Sequence, residues 1–445
     1  MKWSITQISV IQNLTRCLMR MITISSDYEP SDNSSDSEDM VVSECEVDPE
    51  PEDNNDDSQT TTSNANDDLW TEIQQNPELF IFQENIGVKL DTANFTVHTL
   101  VDLFFSDEFL AILVEQTNLY AAQEMEKRKV IKKNNRLSQW KDVSAAEMKV
   151  FIGLLLQMGP CTFPSIEHYW STNKLYNVNF WCSHMSRNRF QLILRYFHLV
   201  DNSIPSADRL YKLRPILNHF NHVMRESYVP DRNICIDESM MLWRGRLLFR
   251  QYIKNKKHKY GIKLYELCES NGLVMKIKIY SGKCEETDNK VGHTADVVLH
   301  LLEDYLDKGY AVYMDNFYNS VTLTKLLTTR KTYVCGTLRS NRKGNSRDVV
   351  NRKLKKGECI WQQNGPVTVC KWKDKRDVLS ISNMHAVEMV ERVCHLPKKK
   401  ERPTKPCRIC TQAKKRRETR YFCPVCKEKP ALCVENCFKN LHKKQ

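Results

Sequence analysis

Between positions 95 and 229 apolar residues return every three or four positions. Val97, Leu100, Val101, Phe104 and Phe105 form one stripe, and Leu110, Leu113 and Val114 continue it. This spacing turns one side of each segment toward a core and predicts amphipathic helices. Residues 145–158, 187–197 and 211–228 repeat the period, with turn signals at Gly159-Pro160, Asp201-Asn202 and Pro205. Periodicity alone predicts a helical bundle here.

Beyond position 229 the pattern changes. Runs at 234–237, 263–268 and 274–280 predict three strands, and 295–306 carries Val298, Leu301, Leu302 and Tyr305 on one helical face. A strand at 310–314, a helix at 320–328 and a strand at 333–338 follow, an alternation that defines α/β architecture. Two of the runs end in an acid: Ile234-Cys235-Ile236-Asp237 and Ala311-Val312-Tyr313-Met314-Asp315. Ligands collect beyond the carboxyl ends of buried strands, where an aspartate is placed to hold a cation. Aspartate after a strand also opens turns and caps helices, and from spacing alone the two readings stand level.

The residues around those acids decide between them. Asp237-Glu238-Ser239-Met240 is followed by Arg244-Gly245-Arg246, Gln251-Tyr252-Ile253 and Lys259-Tyr260-Gly261-Ile262-Lys263. Pro164-Ser165-Ile166-Glu167-His168-Tyr169-Trp170 and Met185-Ser186-Arg187-Asn188-Arg189-Phe190 precede them, with Asp208-Arg209-Leu210-Tyr211-Lys212 between and Asp315-Asn316-Phe317-Tyr318 after. In this order the motifs resemble the piggyBac-type transposase family, over roughly residues 93–385.

The resemblance implies an α/β ribonuclease H-like, DDE transposase-like core. Enzymes of that fold hold two divalent cations, Mg²⁺ or Mn²⁺, on three acids, and the cations stabilise the attacking and leaving oxygens of an in-line displacement. Asp237 matches the first acid and Asp315 the second. The third belongs to a family motif reading roughly Gly-Gly-Val-Asp followed by Asp-Gln, and this sequence lacks it. After Trp372-Lys373-Asp374-Lys375-Arg376-Asp377-Val378 the chain passes through 384–393 directly into a cysteine cluster. The expectation is therefore a truncated core with little or no strand cleavage, because two acids bind and place a metal poorly. Glu388 and Glu391 are substitutes for the third acid only if they are more than solvated surface glutamates. Asp374 and Asp377, in an expected strand and turn, take no catalytic role. Residues 93–229 would form the family's helical dimerisation and DNA-contacting domain, making a homodimer an expected state.

Charge sharpens the choice of partner. Residues 22–68 hold sixteen acids and no Lys or Arg, which leaves 66 basic against 39 acidic residues elsewhere. Such a surplus suits a polyanion, since neutralised phosphates release counterions. Double-stranded DNA is the expected partner. Arg244, Arg246, Arg250, Lys254, Lys256, Lys257, Lys259 and Lys263, interleaved with Trp243, Phe249, Tyr252 and Tyr260, have the composition that holds phosphates and stacks bases. An ordinary basic hairpin with core aromatics shares that composition. The acidic segment carries too few apolar groups to order itself, and its serines at 34, 35 and 37 are candidate phosphorylation sites that would strengthen competition with DNA. A simple solubilising tail fits it equally well.

The cysteines give a second signal. Cys407-x₂-Cys410, Cys423-x₂-Cys426, Cys433-x₃-Cys437 and His442 have the spacing of structural zinc ligands. Seven donors exceed one tetrahedral site and fall one short of two, so one Zn²⁺ is expected and two are compatible. Arg420-Tyr421-Phe422-Cys423 and the run from Leu432 to Phe438 resemble the family's cysteine-rich tail, which contacts transposon-end DNA. Cys161, Cys235 and Cys335 read as small buried hydrophobes.

Lys398-Lys399-Lys400 and Lys414-Lys415-Arg416-Arg417 read as nuclear import signals or phosphate contacts, and a nuclear location is expected. No apolar run reaches the ~18 residues of a membrane span, and residues 1–21 lack the apolar centre of a signal peptide. The expected organisation is an acidic, disordered region at 1–92, the helical domain at 93–229, the truncated core at 230–393, and a basic linker with the zinc module at 394–445. The functional expectation is a nuclear, transposase-derived DNA-binding protein with impaired or lost cleavage. An active metal-dependent transposase and a zinc-dependent protein-interaction module are the alternatives.

Overall fold

The computed structural model describes residues 69–90 except 74, then 96–127, 136–243, 247, 249–253, 259–282 and 292–385. In the C-terminal part it describes 398–399, 405–413, 415, 417–419, 421–423, 430–433 and 437. The chain divides into two compact units. Of the described residues, one holds Glu84–Asp304, and the other joins 69–83 with Tyr305 onward. The expected helical segment and the first strands of the expected core thus fall in the same unit.

In the first unit the helical stripe forms as the sequence predicts. Helices α1 (Val97–Phe104), α2 (Asp107–Lys127), α3 (Ala145–Gln157), α4 (Asn179–His184), α5 (Arg187–Tyr196) and α6 (Arg214–Ser227) bury Leu100, Phe104, Leu113, Phe151, Phe190, Phe220 and Met224. Their starts are chemically marked: Thr96, Ser144 and Ser186 each accept a backbone N–H of the first turn. A bidentate ion pair from Arg189 to Glu147, both contacts 2.7 Å, ties α5 to α3.

Helix α6 leads through β2 (Tyr228–Val229), which pairs with β1 (Gly87–Val88), into the strands. Strand β3 (Asn233–Leu242) runs antiparallel to β5 (Tyr260–Glu269) along its whole length. The other edge of β5 takes β4 (Gln251–Tyr252) and β6 (Val274–Ile279). Asn221 of α6 exchanges two 2.9 Å hydrogen bonds with the backbone of Ile277, so a side-chain amide occupies part of the β6 edge. Helix α7 (His293–Leu302) closes the unit and is shorter than the expected 295–306.

The second unit opens with parallel strands β7 (Ala311–Met314) and β8 (Tyr333–Thr337), joined by helix α8 (Val321–Thr329). Short helix α9 (Arg347–Asn351) follows, and β9 (Cys359–Asn364), β10 (Val367–Lys373) and β11 (Asp377–Ser382) then meander antiparallel until β11 pairs with β8. Gly365, at φ 57°, makes the two-residue connection of β9 to β10. Val321, Leu338, Val349, Val367, Val369 and Ile381 form the core, with Trp70 packed on it. The strap at 69–83 joins this unit through backbone bonds between Thr71 and Gln363 and through Phe80, which packs on Tyr333. Gly309, at φ 77°, lies against the Ile81 carbonyl so closely that a Cβ would overlap it.

Candidate catalytic acids and cysteine metal centre

Asp237 lies in the middle of β3, not at its end. Pairing continues for five further residues, to Leu242 opposite Gly261. Its carboxylate is exposed, and Oδ1 accepts the Glu238 N–H at 2.8 Å. Directly across the strand pair stands Glu266, whose Oε1 accepts the Ser239 hydroxyl at 2.7 Å. Burial pushes the Glu266 carboxyl up, the Ser239 bond pulls it partly back, and the Asp237 charge raises it again. A second acid beside the first was missed in the sequence. Its one local signal is a glutamate inside an apolar strand.

Asp315 follows β7 immediately and is exposed. Its Oδ1 accepts the Phe317 N–H at 2.8 Å, so the carboxylate also opens the turn after the strand. Fully buried Asn319 secures that turn. Its side-chain amide donates to the carbonyls of Met314, Asp315 and Thr337 at 3.0, 3.1 and 2.9 Å. Gly336 makes room for it, because a Cβ there would overlap the Met314 carbonyl and the Asn319 amide. Asp377, set aside in the sequence, pairs with Lys371 and Lys373, and both lysines hold its carboxyl below the ordinary range. Glu388 and Glu391 lie outside the described residues.

Of the eight basic candidates, Arg244, Arg246, Lys254, Lys256 and Lys257 lie outside the described residues. Lys259 is exposed, and the half-buried guanidinium of Arg250 sits 5.4 Å over the Tyr260 ring. Lys263 corrects the expectation. It is only 2% exposed, with its ammonium 5.2 Å over the Tyr265 ring.

The cysteine tail assembles a centre from residues distant in sequence. Cys407 precedes helix α10 (Arg408–Gln412), and Cys410 sits within it. Backbone bonds from Arg408 to Ala431 and from Leu432 to Tyr421 draw the later segment alongside. The sulfurs of Cys407, Cys410, Cys433 and Cys437 then lie within 4.8 Å of one another. Among the described residues, the first knuckle thus shares a site with the third cysteine pair. Burial raises the Cys407 thiol, but the N–H groups of Cys410 and Cys433 and the neighbouring thiols outweigh it, bringing it down to about 7. Burial and the Cys407 sulfur push Cys433 up to about 11, and burial and the Cys410 thiol push Cys437 up to about 12. Thiols this close retain protons on some sulfurs, and a bound cation would let all four deprotonate. Such a donor set fits a tetrahedral metal ion. Cys423 is buried beside the cluster without joining the four, and Cys426 and His442 lie outside the described residues.

Three antiparallel strands with an acid on the first, then a helix, then a parallel strand pair with an acid after its first strand, define a DDE-type, ribonuclease H-like core. The family model described as Transposase IS4 matches residues 98–416, and the chain belongs to that family, in its piggyBac branch. Human PiggyBac transposable element-derived protein 3 is 25% identical over 319 residues, covering 69% of this chain and 52% of the relative. Human PiggyBac transposable element-derived protein 2 is 25% identical over 301 residues, covering 65% and 49%. The chain therefore spans about half the length of the curated relatives it matches. Among solved structures, the piggyBac transposase of a synaptic complex with hairpin DNA aligns at a TM-score of 0.60 and 27% identity, over 67% of this chain and 63% of the other. Among the described residues no helix is long and apolar enough to cross a membrane.

Proposed function

We propose that this chain is a nuclear, piggyBac transposase-derived protein that binds double-stranded DNA and has impaired or lost strand cleavage and transfer. The observation that carries the reading is the likeness to a transposase solved with hairpin DNA. The net basic charge outside residues 22–68 supports the same partner. By resemblance, Asp237 and Asp315 match two of the acids that in this family hold a divalent ion, which supplies stabilisation of attacking and leaving oxygens. The missing Gly-Gly-Val-Asp motif removes the third ligand, so the ion would bind weakly and sit poorly for in-line attack. Lys259, Arg250 and the basic residues between them would contact the phosphate backbone, and the helices at 93–229 would contribute DNA contacts and a homodimer interface. Zinc would occupy the Cys407, Cys410, Cys433 and Cys437 centre, with Cys423, Cys426 and His442 as donors for a second ion.

Titrating the full chain with a labelled duplex at several salt concentrations tests the DNA reading. Affinity should fall steeply, by a log–log slope of about −0.9 per phosphate neutralised. Binding that is absent or indifferent to salt would overturn it and favour a zinc-dependent protein-interaction module.

A further inference from the structure

Cys235 and Cys268 are direct cross-strand partners in the β3–β5 pair. Opposing residues of an antiparallel pair hold their Cα atoms roughly 4.5–5.5 Å apart, inside the roughly 4.4–6.8 Å span of a disulfide. Facing positions of an antiparallel pair put their side chains on the same face of the sheet, so the two thiols lie side by side. Each is partly exposed, which leaves an approach for a small oxidant. The next residue pair along the same sheet face is Asp237 and Glu266. A link at this position fixes the spacing of the two strands beside the first candidate acid.

We propose that Cys235 and Cys268 are an oxidative modification site that closes into a reversible cross-strand disulfide, with a peroxide as the oxidant. One thiol sulfur attacks a peroxide oxygen. The O–O bond breaks, the sulfur becomes a sulfenic acid, and the first water leaves. The partner sulfur then attacks the sulfenic sulfur, the S–S bond forms as the S–O bond breaks, and the second water leaves. Two thiols are oxidised by two electrons while one hydrogen peroxide is reduced to two waters. A dithiol reductant reverses the step by exchange.

The test uses the zinc-loaded full chain, reduced, treated with hydrogen peroxide, alkylated and digested with trypsin without reductant. Peptides 233–244 and 264–276 each carry one cysteine. They should appear joined, separate on treatment with dithiothreitol, and form while zinc content is unchanged. In Cys268→Ala the remaining Cys235 should instead stop at a sulfenic acid that dimedone traps, and in Cys235→Ala the same should hold for Cys268. Recovery of both peptides separately, whether alkylated or overoxidised to sulfinic acid, would overturn the proposal. So would joined peptides that arise only from the cysteine tail.

Discussion

Replacing Asn319 with Leu removes the donor that fixes the turn carrying Asp315, while keeping the side chain's approximate size. The amide is fully buried and faces three backbone carbonyls at 2.9–3.1 Å, with two hydrogens to share among them. Two full bonds are therefore lost, one of them from the buried Met314 carbonyl, which is left without this donor, and one from the part-buried Asp315 and Thr337 carbonyls. At about 1–3 kcal/mol for the buried acceptor left unsatisfied and about 0.5–1.5 kcal/mol for the other bond, the cost is about 1.5–4.5 kcal/mol. For a unit of this size that lowers the midpoint of thermal unfolding by about 6–12 °C, taking about 3 kcal/mol as the centre. Gly336→Ala should act in the same direction, since its Cβ would displace the same amide. Differential scanning calorimetry of the full chain reads the effect on the second unit's transition. A loss below about 1 kcal/mol would refute the reasoning, because it would mean that the amide does not hold the turn.

Three further outcomes follow from other sites. Lys371→Met should cost about 2–4 kcal/mol in denaturant unfolding, because its buried ammonium donates to the carbonyls of Val350 and Arg352 at 2.7 and 2.9 Å and pairs with Asp377 at 3.1 Å. His219 is stacked on Phe109 and held below the ordinary histidine range, chiefly by burial and also by His222, against the pull of the Phe104 carbonyl. Its contribution should be complete above pH 6.5 and fade as pH falls through the lower folded value. His219→Phe should accordingly flatten the acid limb of a stability–pH profile below 6.5. Cys410→Ser should reduce bound zinc by one ion per chain in elemental analysis, since Cys410 lies 3.4 Å from Cys437 and 4.0 Å from Cys433 in the four-sulfur centre. Unchanged zinc would assign the ion to other donors.

Local rules wrote much of this fold legibly. The stripe from Leu100 to Phe104 and the serine caps at 144 and 186 mark real helices, because periodicity and capping act within a few residues. The extent of β3 was hidden, since Ser239, Met240 and Met241 extend only because β5 lies beside them. Glu266 becomes a neighbour of Asp237 through the same register, which no local pattern reports. The β9–β11 meander left a trace in Gly365, whose positive φ opens the two-residue connection between Asn364 and Val367. Among the cysteines the ligand types were readable, but the sharing of one centre by the first and third pairs depends on how the tail folds back. Lys263 shows the converse error: a lysine in a basic run is buried because the whole stretch from Gly261 to Tyr265 is covered on both faces of the strand.

The most direct measurement incubates the full chain with a labelled piggyBac-type transposon-end duplex and Mn²⁺, resolving bound complex and cleaved strand together, beside Asp237→Ala and Asp315→Ala. The account predicts a salt-sensitive complex and no cleaved strand from any of the three proteins. Cleavage by the unaltered chain that disappears in both variants would contradict it, and would show that a third acid completes the site.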